Sequence, residues 1–239
     1  MTADEIRARV LHRDGLMLVI DKPAGLPVHR GPKGGPNLEV SFDALRFGLP
    51  RPPVLAHRLD KDTSGCLVLG RHRKATASLG LLFKHGKIAK TYWTVVEGGP
   101  TADEGTIDLP LGRLNAERGW WQKPDPQGQQ AITNWKVLGR SDGLTWLAME
   151  PITGRTHQLR VHAASQGWPI VGDNIYGTQA SLRRLRNEKF IPRFGEPSLH
   201  LHSREIGIPI SKNKDPVRVV APAPGHMRER LMACGWNGE

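Results

Sequence analysis

Three stretches of the 239-residue chain bring reactive residue types together: HRLDKDTSG at 57–65, KTY at 90–92 and GRTHQLRVH at 154–162. The first places a histidine, an arginine and an aspartate side by side before a polar turn, with short apolar runs, PPVLA and CLVLG, on either side. Such runs read as buried strands, so the charged group falls in the connection between them, where chemistry is commonly placed. A plainer reading stands beside it: Asp60, Thr63 and Ser64 could bond only the backbone of their own turn. His57, His157 and His162 raise the question of a metal, and His200 with His202 share one face of a strand-like run. No His, Asp or Glu group among them has a recognised ligand spacing, so no metal is expected.

The elements that must carry these residues are read from periodicity. LMLVIDKPAGLPVH opens as a strand and breaks on Pro23, Gly25 and Pro27 into a loop that RGPKGGPN continues, with Arg30 and Lys33 making a flexible basic flap near 30–37. RKATASLGLLFKH at 73–85 sets Ala75, Leu79, Leu82 and Phe83 at helical spacing despite Gly80. KTYWTVVEG is a strand. ITNWKVLG and LTWLAMEP are two more, joined by the hairpin signal RSDG. After Pro151, TGRTHQLRVHAASQG turns helical, with Thr156 as its cap, Leu159, Ala163 and Ala164 facing inward, and Gly167 as its end. Arg160 then lies in the helix's first turns. SLRRLRNEKF reads as a short surface helix, and LHLHSREIGI and PVRVVAPAP as closing strands. Strands come in runs with helices between them, which is the pattern of an α+β fold with a mixed, largely antiparallel sheet.

Charge narrows the partner. Thirty-four Lys and Arg against 23 Asp and Glu leave a net charge of +11, and the pI is near 10.1. That balance favours a polyanion, and with no lipidation motif and no basic amphipathic helix the polyanion is nucleic acid and not a membrane surface. The first ten residues mix both charge signs, and LMLVI is too short for a signal-peptide core or a membrane span, so a cytoplasmic location is expected. Two distant cysteines, Cys66 and Cys234, suggest neither a disulfide framework nor a zinc site.

Taken together, HRLDKDTSG, GRTHQLRVH, the early DKPAGLPVH and the late VGDNIYG resemble, in order, the motifs of the RluA-type family of RNA pseudouridine synthases. The resemblance runs over most of the chain. It implies a single catalytic domain over 1–239, with its core at about 14–225 and without a separate amino-terminal RNA-binding module. It also implies a catalytic aspartate at Asp60, an active-site tyrosine at Tyr92 and an aspartate-pairing arginine at Arg160. Arg58 corresponds to an arginine used toward RNA near the vacated nucleotide position, and His57, Lys90, Arg155 and His157 are expected to join it on the RNA. The implied substrate is structured ribosomal or transfer RNA. No cofactor, membrane or obligatory protein partner is implied, and a monomer would suffice.

The chemistry of such a reaction fits those residue types. Breaking the C1′–N1 bond of uridine, turning the uracil and joining C1′ to C5 needs a carboxylate at the sugar, a face for the base and a group to take the C5 proton. A carboxylate in a dry pocket stays ionised only beside a cation, and an arginine fork also fixes its direction. A tyrosine offers a ring for stacking and a phenolic oxygen for proton transfer. The competing class, a basic RNA-binding protein without the reaction, would have no use for a carboxylate where phosphates approach.

Overall fold

The computed structural model describes residues 1–31, 34–115, 120–177, 198–211 and 213–238. They form two compact units: residues 1–90 with 203–222, and residues 91–202 with 223–239. Each unit is assembled from two separated segments, so no linker marks a boundary in the sequence.

The first unit is built on strands β1 (Val10–Arg13), β2 (Met17–Lys22), β4 (Ser64–Gly70) and β11 (Leu201–Ile208), adjacent in that order, with β12 (Val217–Val220) on β11. Every residue of β4 is buried, as the unbroken CLVLG run requires. Leu67 and Leu69 are fully enclosed, a burial that stabilises the fold by about 2 kcal/mol for each side chain. PPVLA does not form the buried strand its composition suggests. Only Val54–Leu55 pair, as β3 along the end of β4, since the two prolines before them supply no N–H to a ladder, and Val54 is 55% exposed. Helix α2 (Arg73–Lys84) turns Ala75 and Leu79 inward, with Leu82 and Phe83 packed beside them on Met17, Val19, Cys66 and Val68. Helix α1 (Ala3–Arg7), with a Thr2–Glu5 capping box, and a 3-10 helix over Glu39–Leu45 complete the unit.

In the second unit, β5 (Ala89–Glu97), β10 (Leu144–Pro151), β9 (Ile132–Ser141) and β6 (Glu104–Asp108) pair antiparallel in that order. Asp142–Gly143 closes β9 onto β10 with Ser141 opposite Leu144, as RSDG predicts. A separate ribbon pairs β7 (Leu111–Arg113) with β8 (Gln122–Pro124). Helix α3 (Gln158–Ser165) buries Leu159 and Ala163 against Val96, Leu147, Met149 and Trp168. Helix α4 (Gly225–Ala233) packs Met227 and Leu231 on Val95 and Trp146. The α+β class with a mixed, mostly antiparallel sheet holds. SLRRLRNEKF, and Lys33 of the basic flap, lie outside the described residues.

Candidate active site

Asp60 occupies the connection between β3 and β4, and its carbonyl accepts from the Thr63 N–H at 3.2 Å, which closes a tight turn. What holds that turn in place comes from elsewhere in the sequence. Lys22, at the end of β2, is fully buried, and its ammonium donates to the carbonyls of Lys61 at 2.9 Å, Thr63 at 2.8 Å and its own neighbour Pro23 at 2.9 Å. Burial pushes Lys22 down to about 7, while the carboxylates of Asp62, Asp60 and Asp21 pull it back up. Three carbonyls around one nitrogen match the three protons of an ammonium, and a neutral amine has only two to give. Beyond the turn, Gly65 sits at a φ of 101°, and a Cβ there would stand 2.2 Å from the carbonyl oxygen of Ser203. Glycine is therefore required by backbone conformation and by close approach alike.

His57 faces the other way. Its ring stacks on Phe83 with centroids 4.1 Å apart, and its Nε2 accepts the backbone N–H of Val68 at 3.0 Å. Burial, with the Lys90 ammonium adding to it, holds its pKa down at about 3. The ring is thus neutral and bonded inward, where it helps to hold the connection. Arg58 is exposed next to it, and Lys90 on β5 is partly buried, which lowers its own pKa.

Arg160 belongs to the second unit, and here the local sequence builds a rigid entry to α3. Gln158 Oε1 accepts from the Arg155 N–H at 3.0 Å and the Thr153 hydroxyl at 2.8 Å, while its amide donates to the carbonyl of Ile132. The chain is thereby bent so that His157, and not Thr156, precedes the first helical turn, in a left-handed conformation with φ 54° and without a side-chain cap bond. His157 is buried. Its Nδ1 lies 2.7 Å from the Tyr176 hydroxyl, and its Nε2 lies 3.5 Å from Arg160 Nη1. The Tyr176 oxygen also accepts the Gln122 N–H at 2.9 Å. Arg155 is exposed, with Nε on the Gln130 carbonyl at 3.0 Å.

Arg160 itself is clamped. Its Nε and Nη2 donate to the two oxygens of Asp173 at 2.8 and 2.7 Å, and the side chains are 3% and 1% exposed. Asp173 Oδ1 also accepts from the N–H groups of Ile175 and Tyr176, and the guanidinium lies 5.2 Å from the centre of the Tyr176 ring. The VGDNIYG motif thus supplies a carboxylate, an aromatic face and a hydroxyl around one arginine. Gly172 within it, at φ 76°, would drive a Cβ to 1.9 Å from the Ser198 carbonyl oxygen. Tyr92, on β5, is partly buried and packs against the apolar cluster of Leu147, Met149 and Leu159.

Within the first unit the fold therefore groups Asp60, Arg58 and His57 in one connection, with Lys90 near enough to act on His57; within the second it joins His157 to Arg160. Lys22, Asp173 and Tyr176 are the residues the motif reading did not single out, although all three lie inside motifs it noticed. In the first unit Lys22 anchors the turn that carries Asp60, and in the second Asp173 and Tyr176 orient Arg160. Among the described residues no three His, Cys, Asp or Glu side chains converge as a metal site.

Comparison with known proteins agrees. Residues 16–165 match the family model described as RNA pseudouridylate synthase. An uncharacterized RNA pseudouridine synthase of Zymomonas mobilis is 43% identical over 218 residues, which is 90% of this chain and 94% of that one. The ribosomal large subunit pseudouridine synthase D of Xanthomonas campestris is 36% identical over 96% of this chain and 70% of its own length. Among solved structures, human RNA pseudouridylate synthase domain containing 4 superposes with a TM-score of 0.78 at 27% identity, covering 97% of this chain and 95% of that one. On its motifs, its fold and these relatives, the chain belongs to the RluA-type family of RNA pseudouridine synthases, which are isomerases.

Proposed function

We propose that the protein isomerises a uridine held in structured ribosomal or transfer RNA, with Asp60 acting at the sugar, Tyr92 as support for the uracil and Arg160, oriented by Asp173, as the cation of the reaction. The observation that carries this reading is the Lys22-bound turn: two hydrogen bonds from the buried ammonium, to the carbonyls of Lys61 and Thr63, fix the backbone beside Asp60 while Asp60 itself remains partly exposed. The relative from Xanthomonas campestris, named for the large ribosomal subunit, supports a ribosomal RNA substrate. A net charge of +11 supports affinity collected from many phosphates.

A uridine stacked in folded RNA must leave the stack to react, at a cost of about a few kcal/mol. Arg58, exposed two residues before Asp60, offsets part of that cost by stacking where the base was and bonding its neighbours. The test is single-turnover conversion, first locating the target by mapping pseudouridine in RNA from cells with and without the gene. Asp60→Asn should lose activity by about 10³-fold or more on a structured stem-loop and on a short flexible oligonucleotide alike, with folding and RNA affinity kept. Arg58→Ala should slow the stem-loop far more than the oligonucleotide. Substantial turnover by a purified Asn variant, deamidation excluded, would remove Asp60 from the chemistry, and equal losses on both substrates would remove Arg58 from base extrusion.

A further inference from the structure

Trp120 lies on the connection between β7 and β8 and is 58% exposed, an unusual position for the largest apolar side chain in a polar ribbon. The ribbon beneath it is well anchored: Leu111 is buried, the Leu114 N–H donates to the Trp121 carbonyl at 2.8 Å, and the Gln122 N–H is bound by the Tyr176 hydroxyl. Trp120 meets the rings of Trp121 and His157 in T-shaped contacts, with centroids 5.7 and 5.4 Å apart and interplanar angles of 83° and 88°. His157 in turn lies against Arg160. An exposed indole is therefore held in a set orientation one residue away from the clamped arginine. Exposed Arg113, opposite Gln122 in the ladder, stands on the same short ribbon.

A fixed aromatic surface on a ribbon that also carries an exposed cation suits an unpaired nucleotide, since its base stacks on the ring and a phosphate meets the charge. We propose that Trp120 is a stacking platform for an unpaired base of the substrate RNA flanking the reacting uridine, with Arg113 toward an adjoining phosphate. This rests on the RNA-modifying activity of the chain and adds to it a contact that tells an open strand from a closed helix. Stacking is tolerant of base identity, so the contact selects for strand opening more than for sequence.

The test uses the full chain and a fluorescein-labelled 12-nucleotide oligouridylate, alongside the same backbone made abasic at its central positions, with affinity read by anisotropy. Trp120→Ala should weaken binding to the oligouridylate by about tenfold, and Trp120→Phe by about threefold or less. The abasic strand should bind wild type weakly and be indifferent to Trp120→Ala. The melting temperature should be unchanged in both variants, because the ring is largely outside the fold. Equal affinity of wild type and Trp120→Ala for the oligouridylate would overturn the proposal. So would an equal loss on the abasic strand, or a fall in melting temperature that accounts for the lost binding, since the indole would then only cover His157. Failure of this inference alone leaves wild-type binding and turnover intact. Failure of the RNA-modifying reading would instead show as wild-type protein that neither binds the oligouridylate nor converts any uridine, and it would overturn both.

Discussion

Lys22 and Arg160 are both buried cations, and the two units use them differently. In the first unit, Lys22 gives its protons to backbone carbonyls, so no carboxylate is bonded to it directly and its field reaches Asp60, Asp62 and Asp21 together. In the second, Arg160 is bonded at two points to Asp173, so much of its charge is balanced where it sits and its position is set by the planar fork. An ammonium is a compact point charge that suits a tight turn of carbonyls, whereas a guanidinium suits a carboxylate whose own orientation is fixed by backbone N–H groups. The comparison teaches that a buried cation can be fixed either by a carboxylate of its own or by backbone carbonyls alone. Arg160 is oriented by its counter-ion, and Lys22 sets the shape of a turn.

The largest effect should come from breaking the balanced pair. Asp173→Ala leaves a buried guanidinium without its carboxylate and is expected to cost about 3–5 kcal/mol in urea unfolding. Asp173→Asn should cost less, since its side-chain oxygen still accepts from Ile175 and Tyr176. A loss below about 1 kcal/mol for the alanine variant would show that Arg160 is not held as a pair, and the contrast with Lys22 would disappear.

Lys22→Met should cost about 2–3 kcal/mol, from buried carbonyls left without donors, and should lower kcat more than KM because the turn under Asp60 loosens. Lys22→Arg should not restore it, because a planar fork cannot address three carbonyls converging on one point. Recovery of kcat in the arginine variant would mean that only the positive charge matters and not the bonding geometry.

At neutral pH the smallest effect comes from two buried histidines, one in each unit, and it grows as pH falls. His57 and His200 are each held near a pKa of about 3 by burial, well below the usual 6.5. His200 donates from Nδ1 to the Ser198 carbonyl, and Arg230 lies at its other nitrogen, 3.3 Å away. In both, the folded protein binds fewer protons than the unfolded chain between about pH 3 and 6.5, so their stabilisation is complete above 6.5 and is lost as pH falls through that window. Replacing either by Gln should flatten the acid side of a stability–pH profile measured by denaturant titration. An unchanged slope would mean that the ring takes up its proton in the folded state without penalty.

The motifs and the regular elements were legible because their signals are local. β5, the β9–β10 hairpin, α2 and α3 each declare themselves by a period of apolar residues and a turn residue at the end, and β4 by an unbroken apolar run. The short pieces, α1, the 3-10 helix, β1, β6 and the β7–β8 ribbon, are too brief to show a period. PPVLA failed as a buried strand because burial depends on what covers it, which the run itself does not state. His157 as the residue before α3 was invisible for a related reason: its left-handed backbone is set by the Gln158 amide reaching Arg155, Thr153 and Ile132.

By itself the sequence determined the family, the reaction class and the placing of Asp60 in a connection between strands, all of which rest on residues adjacent along the chain. Only the tertiary structure decided what holds the charged groups. Lys22 reaches carbonyls 39 and 41 residues away, and Arg160 meets a carboxylate 13 residues on. A buried charge is tolerable only where donors and acceptors converge on it in three dimensions, and that convergence is created by the packing of segments distant in sequence.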